Sequence, residues 1–210
     1  MEKTREREAS AVTVKGIPGF SDATPTLNLI FVTLCFCFWA NALGLLGEGA
    51  VLAIGVLQVA VFTGYTVGGV ILLARGNGFG GNIFMVFASF FGAAGGLTHV
   101  AMSIAAELGV AFNYQVLGIV FIVGGLFLLV CLPGVMTAPK TDFLSFLTGG
   151  IGVLVFGLTG AEILPAGWNV FAGWCLFVDG CIGFWAVTAG MLSFCGIRLS
   201  CGKPFFREKS

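Results

Sequence analysis

Charge is what this sequence lacks. Its 210 residues hold 10 Lys or Arg and 10 Asp or Glu, so 10% are charged where soluble domains average about 25%. With 58% hydrophobic residues and a mean hydropathy of +1.03, too few polar side chains remain to cover the surface of a soluble globule. That excludes a soluble catalytic domain, because the longest polar stretches, at the two ends of the chain, are too short to bury a core. A net charge of zero excludes a nucleic-acid binder, which needs a basic face to neutralise phosphates. Metal chemistry is poorly supplied: there is one histidine, and the seven cysteines contain no CxxC pair. No nucleophile, base and orienter set is visible, so neither an enzyme nor a bound cofactor is expected.

Long hydrophobic runs are there instead. A spanning helix needs roughly 20 apolar residues. Six stretches qualify: Thr26 to Leu46, Ala50 to Leu73, Asn82 to Ala106, Gln115 to Met136, Phe143 to Gly160, and Gly167 to Ile197. Charge or Gly and Pro chemistry separates them, around Glu48, along Arg75 to Gly80, from Glu107 to Asn113, from Pro139 to Asp142 and from Glu162 to Pro165. Continuous runs of this length exclude a barrel, whose strands alternate over about 10 residues. The first run follows mostly polar residues and exceeds the 7 to 15 residues of a signal-peptide core, so it is expected to persist as a helix. The expected fold is an all-α membrane protein, six transmembrane helices in a compact bundle over residues 26–197, with polar tails at 1–25 and 198–210.

The basic residues give an orientation. Lys3, Arg5, Arg7, Lys15, Arg75, Lys140, Arg198, Lys203, Arg207 and Lys209 fall in the two tails and in the loops after the second and fourth spans. Six spans put all of them on one side, whereas five or seven would scatter them. The opposite loops carry only Glu48, Glu107 and Glu162, so both termini are expected in the cytoplasm.

Glycine and phenylalanine are abundant, at 33 and 22 residues. Intramembrane glycines let helix backbones approach closely, and their number also leaves room for a narrow pore. Phe84, Phe87 and Phe91 share one face of the third span by their i, i+3, i+4 spacing. Such a stripe either packs ordinarily or forms a hydrophobic constriction that gates by excluding water.

Ionisable groups at membrane depth are costly, and each is a functional candidate. Asp179 lies about a dozen residues into the sixth span, where it either contacts a substrate or proton or hydrogen-bonds between helices. His99, in the outer part of the third span, is either a packing histidine or a second such group. Asn28, Asn41, Gln58, Tyr65 and Asn82 make the interior mildly polar with almost no fixed charge, which suits neutral molecules or weak acids.

Two segments carry a family resemblance. The turn Gly76-Asn77-Gly78-Phe79-Gly80 and the segment Phe171-Ala172-Gly173-Trp174 resemble the acetate uptake transporter family, in which a Gly-Asn-x-Phe-Gly turn follows the second span and Phe-Ala-Gly-Trp opens the sixth. The resemblance covers most of residues 22–195. It departs before the first span, where the family's Asn-Pro-x-Pro-Leu-Gly-Leu is replaced by Asp22 to Asn28 with Pro25 retained. It implies a proton-linked or channel-like carrier of short monocarboxylates, a homo-hexamer with one pore per protomer, and a constriction from spans one, three and five. By position that constriction falls on Phe31, Phe87 and either Leu147 or Thr148, with Phe87 where relatives carry a tyrosine.

The leading reading is a plasma-membrane permease or channel for acetate and related short carboxylates, with the bilayer and further copies of the chain as partners. Desolvating a bare carboxylate in a Phe-lined neck is expensive, which favours passage with a proton. Ammonium or ammonia transport, and a non-transporting signalling or scaffold role, stand as alternatives.

Overall fold

Every hydrophobic run folds as a helix. The computed structural model describes residues 21–206, so the basic residues Lys3, Arg5, Arg7, Lys15, Arg207 and Lys209, and most of the tail at 1–25, lie outside the described residues. The helices are α1 (Thr24–Ala42), α2 (Ala50–Ala74), α3 (Gly78–Leu108), α4 (Gln115–Val130), α5 (Lys140–Gly160) and α6 (Trp168–Phe194). No strand occurs among the described residues. Five of the six are long and apolar enough to cross a bilayer, and α4 is shorter. The chain is thus a multi-pass integral membrane protein.

Helix ends depart from the hydropathy boundaries for local chemical reasons. α1 and α6 stop before the expected Leu46 and Ile197. Gly44 (φ +67°) and Gly196 (φ +80°) take the left-handed conformation there, and the next residue's N–H reaches back to Ala40 O at 2.9 Å and Leu192 O at 3.0 Å. α3 starts earlier than Asn82, because the Asn77 side chain caps it by accepting from Gly80 N at 2.8 Å. α4 ends at Val130 rather than Met136. Pro133 opposes α-helical backbone in the residue before it, and a 3₁₀ turn, Leu132–Val135, replaces the last stretch.

The helices close into a ring. α1 packs against α2 and α6, α2 against α3, α4 against α5, and α5 against α6, while the middle of α3 meets α4. Glycine sets the tightest approach, between α4 and α5, where a Cβ added at Gly125 would lie 2.5 Å from Leu154 N; α2 and α3 are also close, a Cβ at Gly96 lying 2.7 Å from Val59 N and 2.8 Å from Gly55 O. The middle part of α3, Ala88–Ala94, is wound as a π-helix.

Contacts at the two ends of the ring are distinct. At one end Arg75 pairs with Asp22 at 3.5 Å, tying the α2–α3 turn to the start of α1. The chain after α6 folds back onto the α4–α5 junction, with Thr141 N donating to Cys201 O at 3.2 Å and Phe205 N to Met136 O at 3.1 Å. At the other end Glu162 accepts from Tyr114 Oη at 3.2 Å and from Gln115 Nε2 at 2.9 Å, joining the α3–α4 and α5–α6 loops.

Candidate functional site

Two cavities enter the ring. The first, about 230 Å³, opens at the Arg75 end between α1, α3, α5 and α6, and is lined by Asn28, Phe31, Asn77, Phe79, Phe84, Asp142 and Ser145 among others. The second, about 280 Å³, lies toward the Glu162 end and is lined by Phe38, Asn41, His99, Tyr114, Phe121, Phe156, Thr159 and Asn169 among others.

Aromatic rings separate them. Phe31 stacks on Phe87 with centroids 5.3 Å apart, Phe87 meets Phe91 at 5.1 Å, Phe91 meets Phe121 at 5.8 Å, and Phe121 meets Phe38 at 6.3 Å. Phe31 faces the first cavity, Phe38 and Phe121 face the second, and Phe87 and Phe91 are buried between. A chain of contacting rings between two cavities is a hydrophobic neck, and such necks can block ions by dewetting.

Polar groups flank that neck from three helices. Asp179 on α6 is 0% exposed; the Ser145 hydroxyl donates to its Oδ1, and its Oδ2 has no hydrogen-bond partner among the described residues. Gly149 makes room for the carboxyl: a Cβ there would collide with Oδ2 and stand 3.5 Å from Phe31 Cζ. Tyr65 on α2, also fully buried, lies 5.9 Å from Phe87 with its hydroxyl unpartnered. Unpaired buried polar atoms are expensive, and two of them, Asp179 Oδ2 and Tyr65 Oη, lie beside the neck.

A third polar unit sits where α3 is π-wound. Gln58 on α2, 0% exposed, donates from Nε2 to Phe91 O at 2.6 Å, and its Oε1 meets His99 Nδ1 at 2.6 Å. A π stretch shifts the i→i−4 ladder and exposes carbonyls that an α-helix keeps bonded to its own amides.

The positions singled out from the sequence fall as follows. Phe31 and Phe87 come together in the neck, Asn28 lines the first cavity, and His99 the second. Leu147 and Thr148 line neither cavity; the Thr148 hydroxyl donates to Leu144 O at 2.8 Å, and the inward face of α5 presents Ser145 and Gly149 instead. Asn77, Phe79 and Gly80 lie at the mouth of the first cavity, beside the left-handed Gly76. Pro25 packs on Gly190. In Phe171 to Trp174, Ala172 and Gly173 are buried, with Gly173 against Ala42 and Trp39 of α1, while Phe171 and Trp174 are exposed. Ser145, Phe121 and the Gln58–Phe91 bond were not anticipated. Only the i, i+4 spacing of Ser145 and Gly149 signals any of them.

The apolar helices thus form a closed ring with a cavity at each end and aromatic rings between the cavities. No family model and no curated protein matches the sequence. Among solved structures the chain is similar to the bacterial acetate channel SatP, at 21% identity over 86% of this chain and 97% of that one, with a TM-score of 0.68. The likeness shows a shared fold, in agreement with the resemblance carried by Gly76 to Gly80 and Phe171 to Trp174.

Proposed function

We propose that the chain belongs to the acetate uptake transporter family and passes acetate and related short-chain carboxylates across a membrane, each with a proton. One observation carries this reading: the cavities at opposite ends of the ring are separated by the Phe31–Phe87 neck, with the buried carboxyl of Asp179 beside it. A neck of phenyl rings penalises a naked carboxylate and admits its neutral, protonated form. The SatP likeness supports a transport role over a catalytic one.

In this reading all six helices cross the bilayer. α4, at 16 residues, spans about 24 Å, and the 3₁₀ turn after it adds roughly 8 Å, together close to the ~30 Å of a hydrocarbon core. The Arg75 end, which also gathers Lys140 and Lys203, faces the cytoplasm. Six copies assemble in the plasma membrane, each with its own path, as the family resemblance implies.

Proteoliposome flux of labelled acetate against labelled ammonium tests the function. Acetate uptake driven by an inward proton gradient is the expected result. Ammonium flux alone would replace the substrate, and no flux of either would leave a scaffold role. Mass measurement in mild detergent should return a hexamer.

A further inference from the structure

The hydrogen-bond chain through Gln58 fixes the chemistry of the one histidine. A backbone carbonyl only accepts, so Phe91 O, 2.6 Å from the Gln58 amide, must face its nitrogen, and this sets the amide's orientation. The amide oxygen then faces His99 Nδ1 at 2.6 Å. An amide oxygen also only accepts, so Nδ1 must carry a proton. A neutral imidazole with its proton on Nδ1 has a bare lone pair on Nε2.

That ring lines the second cavity. It is bordered by Phe38 of α1 at 6.0 Å and Phe121 of α4 at 6.4 Å, while the His99 Cβ packs on the α2 backbone at Gly55. Among the described residues no Lys, Arg, Asp or Glu lines the cavity; its other titratable group is Tyr114, whose hydroxyl donates to the exposed Glu162 outside it. Thr159 and Asn169, which share the cavity, are bonded to each other at 2.5 Å. His99 Nε2 is therefore an acceptor without a competing anion beside it.

We propose that His99 Nε2 is a ligand site in the Glu162-end cavity, taking the O–H of an undissociated short carboxylic acid and rejecting the carboxylate anion, which offers acceptors only. The proposal rests on the transport reading above and specifies the form of the substrate that the Glu162-end cavity admits.

The single histidine makes the test free of assignment. In full-length protein labelled with ¹⁵N-histidine in lipid nanodiscs at neutral pH, the expected spectrum shows a protonated Nδ1 and a bare Nε2. Acetamide, a neutral mimic of acetic acid with N–H donors and no titration of its own, should move the Nε2 resonance. Methyl acetate, which lacks a donor, and acetate at pH 8 should leave it in place. A protonated Nε2, or the same response to all three probes, would overturn the proposal.

His99→Asn keeps a donor toward Gln58 Oε1 and deletes Nε2. Saturation-transfer measurement should find acetamide binding weakened roughly fivefold, the equivalent of one ordinary hydrogen bond, with thermal unfolding unchanged. Undiminished binding would refute the site. Acetamide binding at His99 in a protein that passes no acetate would instead remove the transport reading and leave the site standing.

Discussion

The two cavities solve opposite problems. The one at the Arg75 end carries carboxyl groups: Asp142 lines it, and Ser145 leads from its wall to the buried Asp179. The one toward the Glu162 end carries no charged lining residue among the described residues and offers an imidazole, two asparagines and two hydroxyls. A solute approaching the neck from the first side meets groups that can give or take a proton. From the second side it meets a neutral, hydrogen-bonding chamber. The neck between them is common to both, so under the proposed transport function selectivity for size and selectivity for protonation state would reside in different residues.

The sharpest way to break this comparison is to open the neck. Phe87→Ala removes a buried ring that contacts Phe31, Tyr65, Phe84 and Phe91, and should raise uptake of a four-carbon acid relative to acetate. It should also cost about 3–5 kcal/mol of stability, visible as a lower unfolding temperature in detergent. A folded variant with unchanged selectivity would show that the ring only packs. A smaller effect is expected at Gly149, where a methyl group meets Asp179 Oδ2: Gly149→Ala should cost about 1–3 kcal/mol. Adding Asp179→Ala should recover part of that loss, and a double-mutant cycle of unfolding temperatures measures the coupling.

Smaller still is the latch at the other end. Glu162→Gln keeps one acceptor for Tyr114 or Gln115, both exposed bonds, so the loss should be within about 1 kcal/mol and acetate flux should stay near wild type. Least of all is expected at Thr148, which lines neither cavity. Thr148→Val should change stability by less than about 0.5 kcal/mol and leave selectivity alone. A selectivity change there would return α5's side chains to the path.

The helices were legible because hydropathy marks them directly, and Asp179 stood out because a carboxyl in the middle of an apolar run has to be buried. Other features were hidden by the same signal. Pro133 was plain in the sequence, yet the apolar residues around it carried the expected fourth span on to Met136. Phe31 and Phe87 were linked only through the family resemblance, since no periodicity relates residues on separate helices. On α5 the cavity side presents Ser145 and Gly149, which offer little side chain, whereas the family resemblance placed the constriction by position at Leu147 or Thr148. The Gln58–Phe91 bond was invisible because it depends on the winding of α3 and not on its composition.

That winding carries a geometric consequence for the whole path. Phe87 and His99 are twelve residues apart on α3, and in a regular helix of about 100° per residue they would end roughly 120° out of phase. The π segment between them amounts to one extra residue, which turns the later part of the helix back by about 100° and leaves the two within roughly 20°. One helix can thus present the neck phenyl and the cavity imidazole along a single line. Deleting one residue from Ala88–Ala94 would swing His99 away from the cavity while leaving Phe87 in place.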